Sequence, residues 1–245
     1  MPMIKILTSS ALAALLTATG SSAAASITSS FDSNGNAQAT TITFDSTDLT
    51  SFDVSAGDKL VVAFAGRRDE ADYTMTYGGD SLIPALQVGA PDNNDGNASI
   101  FYLDNASTAT NAELVITAGT SDFIQYDFDM FSISGLAAGG PFATDTDADG
   151  GDTSLSLTGS DGGFMLGSIG TNGGPTLTAT PTGTTTGGDR AENYHWVNTS
   201  SATTYTYSAT GTDTVGVMAS FAVPEPSTFS LLGLAGLLLF LRRRR

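Results

Sequence analysis

The chain has no cysteine among its 245 residues, so no disulfide staples it and no thiolate is available as nucleophile or metal ligand. It has one histidine, His195, which excludes a His-rich zinc site within the chain. Without a G-x-S-x-G elbow, a serine-hydrolase triad also lacks support. Basic residues are scarce: nine Lys and Arg stand against 25 Asp and Glu, for a formal charge of −16. A surface that acidic repels phosphate backbones, and nucleic-acid binding is excluded. Helical periodicity is missing everywhere between the two ends.

The ends differ in kind from what lies between them. Residues 1–25 place Lys5 before an apolar stretch from Ile6 to Ala18 and small residues at Ala23, Ala24 and Ala25. That is the layout of a secretory signal peptide, with cleavage expected before Ser26. Residues 223–245 read VPEPSTFSLLGLAGLLLFLRRRR. A rigid Pro224-Glu225-Pro226 step comes first. The uncharged run Phe229 to Leu241 follows, with its bulk in Phe229, Leu231, Leu232, Leu234, Leu237, Leu238, Leu239, Phe240 and Leu241. A terminal block of Arg242, Arg243, Arg244 and Arg245 closes it. As a helix at ~1.5 Å per residue the run spans roughly 20 Å, short of the roughly 30 Å hydrocarbon core. Apart from Ser230 it is apolar all round, and the arginines can snorkel to the headgroups while the bilayer thins. A short transmembrane helix with a cytoplasmic arginine stop is therefore expected.

Residues 26–222 carry four basic residues against twenty-four acidic ones, a formal charge of −20. A body of that length buries a core without disulfides, and one domain is the economical count. Some thirteen short runs are bounded by Gly, Asn, Asp or Pro, and many alternate apolar with polar, as in YTMTY (73–77) and FIQYDFDMFSI (123–133). The expectation is an all-β fold, an antiparallel β-sandwich of jelly-roll type. No fixed-period repeat that would support a solenoid is found. Ser26 to Ala37 reads as a loose lead, the Gly- and Asp-rich interval before Thr153 as a connection, and Gly170 to Asp189 as a long loop or weak edge hairpin.

Few places invite chemistry. Asp145, Asp147, Asp149 and Asp152, with Gly150 at the sixth position, match the opening of a calcium loop. Position twelve is Ser156, not the bidentate Glu, and a solvated acidic turn is the competing reading. The turn Asp92 to Asn97 is accounted for by Asn and Asp tolerance of left-handed backbone. Arg67, Arg68, Asp69, Glu70 and Asp72 are expected to pair among themselves. His195 and Trp196 alternate across a strand, one inward and one outward, or stack together on a sugar ring.

The two ends together resemble the bacterial PEP-CTERM proteins, which are exported through the general secretory route and handled by exosortase, a membrane transpeptidase-like enzyme. The resemblance rests on Pro224-Glu225-Pro226, the apolar run and Arg242 to Arg245, in that order. It implies a Gram-negative host that makes extracellular polysaccharide, and it implies exosortase and, at least transiently, membrane lipid as partners. It further implies cleavage near the Pro-Glu-Pro step, with the body periplasmic while anchored and at the outer surface or extracellular afterwards. The positive-inside rule gives the same orientation. The cargo domain is left with two readings. One is a non-enzymatic envelope or matrix protein, associated with exopolysaccharide or binding glycan with calcium as the one candidate cofactor. The alternative is a secreted carbohydrate-active hydrolase using paired carboxylates.

Overall fold

A computed structural model describes residues 24–36, 39–67, 73–89, 96–119, 125–171, 176–188 and 191–225. Among these the regular structure is entirely β, and every strand pair is antiparallel. Eleven strands come from the first half: β1 (Ser26–Gly35), β2 (Thr41–Phe44), β3 (Asp53–Val54), β4 (Lys59–Arg67), β5 (Tyr73–Tyr77), β6 (Asp80–Ser81), β7 (Ile83–Gly89), β8 (Gly96–Leu103), β9 (Ala109–Thr110), β10 (Leu114–Ala118) and β11 (Gln125–Ser134). Eight come from the second: β12 (Ala143–Asp147), β13 (Thr153–Thr158), β14 (Phe164–Gly170), β15 (Thr176–Thr180), β16 (Thr184–Gly188), β17 (Ala191–Val197), β18 (Thr204–Thr210) and β19 (Val215–Phe221).

Each half makes its own pair of sheets. The first joins β1-β11-β4-β8-β7 and, facing it, β2-β10-β5-β6; the second joins β12-β19-β14-β17-β16 and, facing it, β13-β18-β15. With β6 and β7 counted as one bent strand and the two-residue β3 and β9 set aside, both halves have the same order. The first, eighth, third, sixth and fifth strands form one sheet, and the second, seventh and fourth form the other. That is the winding of a jelly roll, here made twice by one chain.

The period-two alternation explains why four layers stack. On β4, Leu60, Val62 and Phe64 point into the core of the first roll with Phe44, Met75, Leu114 and Phe128, while Val61 and Ala63 point the other way. On β14, Met165 and Ile169 join Trp196, Tyr207 and Met218 in the core of the second roll, while Phe164 and Leu166 point outward from it. Both central sheets are thus apolar on two faces, and a third core forms where Val61, Ala63, Ile100, Phe131 and Ile133 meet Phe164, Leu166, Val217, Ala219 and Phe221. This two-sided burial accounts for the fully buried runs of β8, β11, β14 and β19.

The contact between the rolls is self-complementary. β4 lies on β14, β8 on β19, β11 on β17, β1 on β16 and β7 on β12. Third strand meets third, sixth meets eighth both ways, and first meets fifth both ways, the arrangement of a two-fold dimer contained in a single chain.

Several expectations are corrected. The single sandwich is two, packed into one compact unit from Ala24 to Val223. Ser26 to Gly35, read as a loose lead, is a ten-residue strand because it pairs along its length with β11. The interval before Thr153 holds β12, and within Gly170 to Asp189 the two strands β15 and β16 are both edge strands, as a weak edge hairpin would have, but they lie in different sheets and do not pair with each other. The internal repeat escaped sequence reading because the second copy is shorter, with counterparts separated widely at Ser26 and Ala143 and closer at Gln125 and Val215.

Candidate functional site

Three groups of side chains stand out, beginning with the acidic stretch. Asp145 and Asp147 lie on β12, not in a loop, and face the neighbouring edge strand β13. Asp145 Oδ2 accepts the Ser156 N–H at 2.7 Å and Asp147 Oδ2 the Ser154 N–H at 2.9 Å. Asp149 Oδ1 accepts the Gly151 N–H and Asp152 Oδ1 the Gly211 N–H, each at 2.9 Å. The four carboxylates therefore each take a backbone donor. Two of them satisfy the outward N–H groups of a sheet edge that would otherwise be open to another strand. Among the described residues no three carboxylate or imidazole groups converge, here or elsewhere.

The second group lies between the rolls. Asp127 and Asp129 are alternate residues on β11 and face the second roll, at 2% and 1% exposure. Opposite them Asn193 on β17 and Ser168 on β14, both fully buried, pair side by side and point toward the first roll, in phase with Leu166. Asp127 Oδ2, Ser168 Oγ and both amide atoms of Asn193 have no hydrogen-bond partner among the described residues. Burial, with Asp129, Asp32 and Glu192 nearby, pushes the Asp127 carboxyl up to about 8. Burial also raises Glu192 and holds Tyr207 well above its usual range, the Tyr207 hydroxyl donating to the Glu192 carbonyl at 2.9 Å.

His195 and Trp196 form the third. Alternation holds, but both turn inward. The His195 ring sits 4.7 Å from that of Phe131 across the inter-roll contact, and burial lowers its imidazole to about 4. Trp196 packs in the core of the second roll at 6% exposure, its Nε1 donating to the Pro181 carbonyl at 2.7 Å. A cavity of about 410 Å³ opens here, lined by His195 and Trp196 themselves together with Pro181, Thr184, Val197 and Tyr205.

At the C-terminal side β19 ends at Phe221, and Pro224 and Glu225 follow in exposed, irregular backbone. Pro226, the run Phe229 to Leu241 and the four arginines lie outside the described residues, as do Met1 to Ala23 and the Arg68 to Asp72 cluster. Residues 222–245 match the family model of the PEP-CTERM protein-sorting motif. The chain carries a PEP-CTERM sorting motif.

No curated protein and no solved structure matches the chain. The motif implies an exported protein that is membrane-anchored before exosortase processes it. Among the described residues no helix is long and apolar enough to cross a membrane. The exposed Pro224-Glu225 pair puts the start of the motif within reach of an enzyme. The inter-roll set escaped sequence reading, because Asp127 and Asp129 in a run of alternating residues look like an outward polar face. Only the second roll turns that face into an interior.

Proposed function

We propose that the protein is a non-enzymatic component of the cell envelope or extracellular matrix, delivered by exosortase and held among exopolysaccharide. The sorting motif at residues 222–245 carries this reading. Support comes from the outer face of the second roll, where every outward position of β13, β15 and β18 is Ser or Thr, in rows such as Ser156-Thr206-Thr180 and Ser154-Ser208-Thr178. Such a face is uncharged on a body of formal charge −20 and offers donors and acceptors to neutral sugar hydroxyls. The hydrolase reading is not adopted. Asp127 and Asp129, alternate residues on β11, are buried between the sheets and do not furnish the open carboxylate pair that such a reading needs.

The test is intact mass of the mature protein from its host, with and without exosortase. An end near Pro226 that depends on the enzyme is expected; an end at Arg245 in both overturns delivery by processing. Co-sedimentation with the host's own exopolysaccharide tests the association. Thr206→Asp should weaken it, and equal sedimentation of both forms would refute the hydroxyl face as the contact.

A further inference from the structure

The two-fold pairing of the rolls supplies an internal control. Ala63 on β4 pairs with Asp129 and Ile100, while its counterpart Ser168 on β14 pairs with Val217 and Asn193. One step along, Ala65 pairs with Asp127 and Ala98, while Gly170 pairs with Val215 and Ala191. Asp129 thus corresponds to Val217, Asp127 to Val215, Asn193 to Ile100 and Ser168 to Ala63. The contact of β19 with β8 is filled by Val, Ile and Ala. Its twin, β11 on β17 and the adjoining β14, carries two carboxylates, an amide and a hydroxyl in the same places.

Sheet packing does not explain that difference, since the apolar half packs the same geometry without polar groups. Burying an amide or hydroxyl unbonded is costly, and burying a carboxylate so is costlier still. Asn193 and Ser168, both fully buried and aimed into the same space, remain unbonded among the described residues. The set is rich in oxygen, and Lys59, the only described lysine, is engaged by Asp104 and the Gly139 carbonyl. Two carboxylates with neutral amide and hydroxyl oxygens are the donors of a hard cation.

We propose that Asp127, Asp129, Asn193 and Ser168 form a buried site for a divalent hard cation that joins the two rolls. The site is distinct from the acidic stretch on β12 and independent of the matrix reading above. The competing neutralisers are Arg67, the last residue of β4, and Arg190, just before β17; a salt bridge from either predicts no metal response.

The probes are calcium and terbium, applied to the full chain in detergent after removal of metals. Millimolar calcium should raise the thermal midpoint. Terbium should give tyrosine-sensitised emission, because Tyr207 lies close enough to Asp127 and Asp129 to be coupled to both. Replacing the polar half by its twin, Asp127→Val with Asp129→Val and Asn193→Ile, should leave a folded protein at least as stable as the parent in chelator, without calcium response or sensitised emission. Asp129→Asn alone should weaken calcium binding at least roughly tenfold, a readout that stands if the triple variant does not fold. No midpoint shift and no emission in the parent would overturn the site, as would a calcium response kept by the folded triple variant or unweakened in Asp129→Asn.

Discussion

Gly96 and Gly170 bring the backbones of the two rolls into contact at one corner of their interface. A Cβ on Gly170 would stand 2.1 Å from the Asn97 carbonyl oxygen, and one on Gly96 would stand 2.4 Å from the Gly170 carbonyl. Neither neighbour is a side chain that could swing away. Gly170→Ala should therefore cost about 3 kcal/mol, the upper part of the range for overpacking. Denaturant unfolding checks this, and a loss below about 1 kcal/mol would mean that the rolls slide apart freely at this corner.

Asp145 and Asp147 act as braces for the edge of β13. Asp145→Ala and Asp147→Ala should each cost roughly 1 kcal/mol, the worth of one hydrogen bond, and Asn at either position should recover most of it through Oδ1. Hydrogen exchange is the sharper readout: the Ser156 amide should speed up in the first variant and the Ser154 amide in the second.

Asp149→Ala tests the calcium-loop expectation directly. Its carboxylate holds the Gly151 N–H in a tight turn, so any calcium-dependent rise in the thermal midpoint should persist in this variant. Loss of that rise would return the cation to the β12 stretch.

Lys59 is buried at 3% exposure, paired with Asp104, donating to the Gly139 carbonyl at 2.6 Å, and 4.9 Å from the ring centre of Tyr102. Asp104 also accepts the Gly139 N–H at 2.6 Å, so the pair clasps the segment that links the rolls. Lys59→Met strands the partly exposed Asp104 and should cost about 2 kcal/mol, less than for a fully buried pair. Lys59→Met with Asp104→Leu should recover part of the loss, measured as a double-mutant cycle.

Changing Pro224, Glu225 and Pro226 together to Ala should leave Arg245 at the end of the mature protein. Mass spectrometry of the membrane fraction reads the outcome, and a processed end in the variant would show that another sequence directs cleavage.

Most strands were legible because alternation is a local signal: Tyr73 to Tyr77 was read with its observed bounds, and the run 123–133 covers most of β11. β1 was not, since SITSSFDSNG has a weak apolar face and becomes a strand by pairing with β11. The acidic residues on β12 were read as a loop because their partners, the N–H groups of β13, belong to a different sheet.

By itself, the sequence determined the sorting motif, the absence of disulfides and the all-β antiparallel character, because each rests on composition or on short local patterns. Only the tertiary structure decided that there are two rolls, and that their central sheets are buried on both faces. It likewise decided that one half of the contact is apolar while its twin holds Asp127, Asp129, Asn193 and Ser168. Those facts depend on pairs such as Ala63 with Asp129 and Ser168 with Val217, brought together by pairing between strands far apart in the chain. An alternating strand shows that it has two faces; what covers each face is set by distant residues.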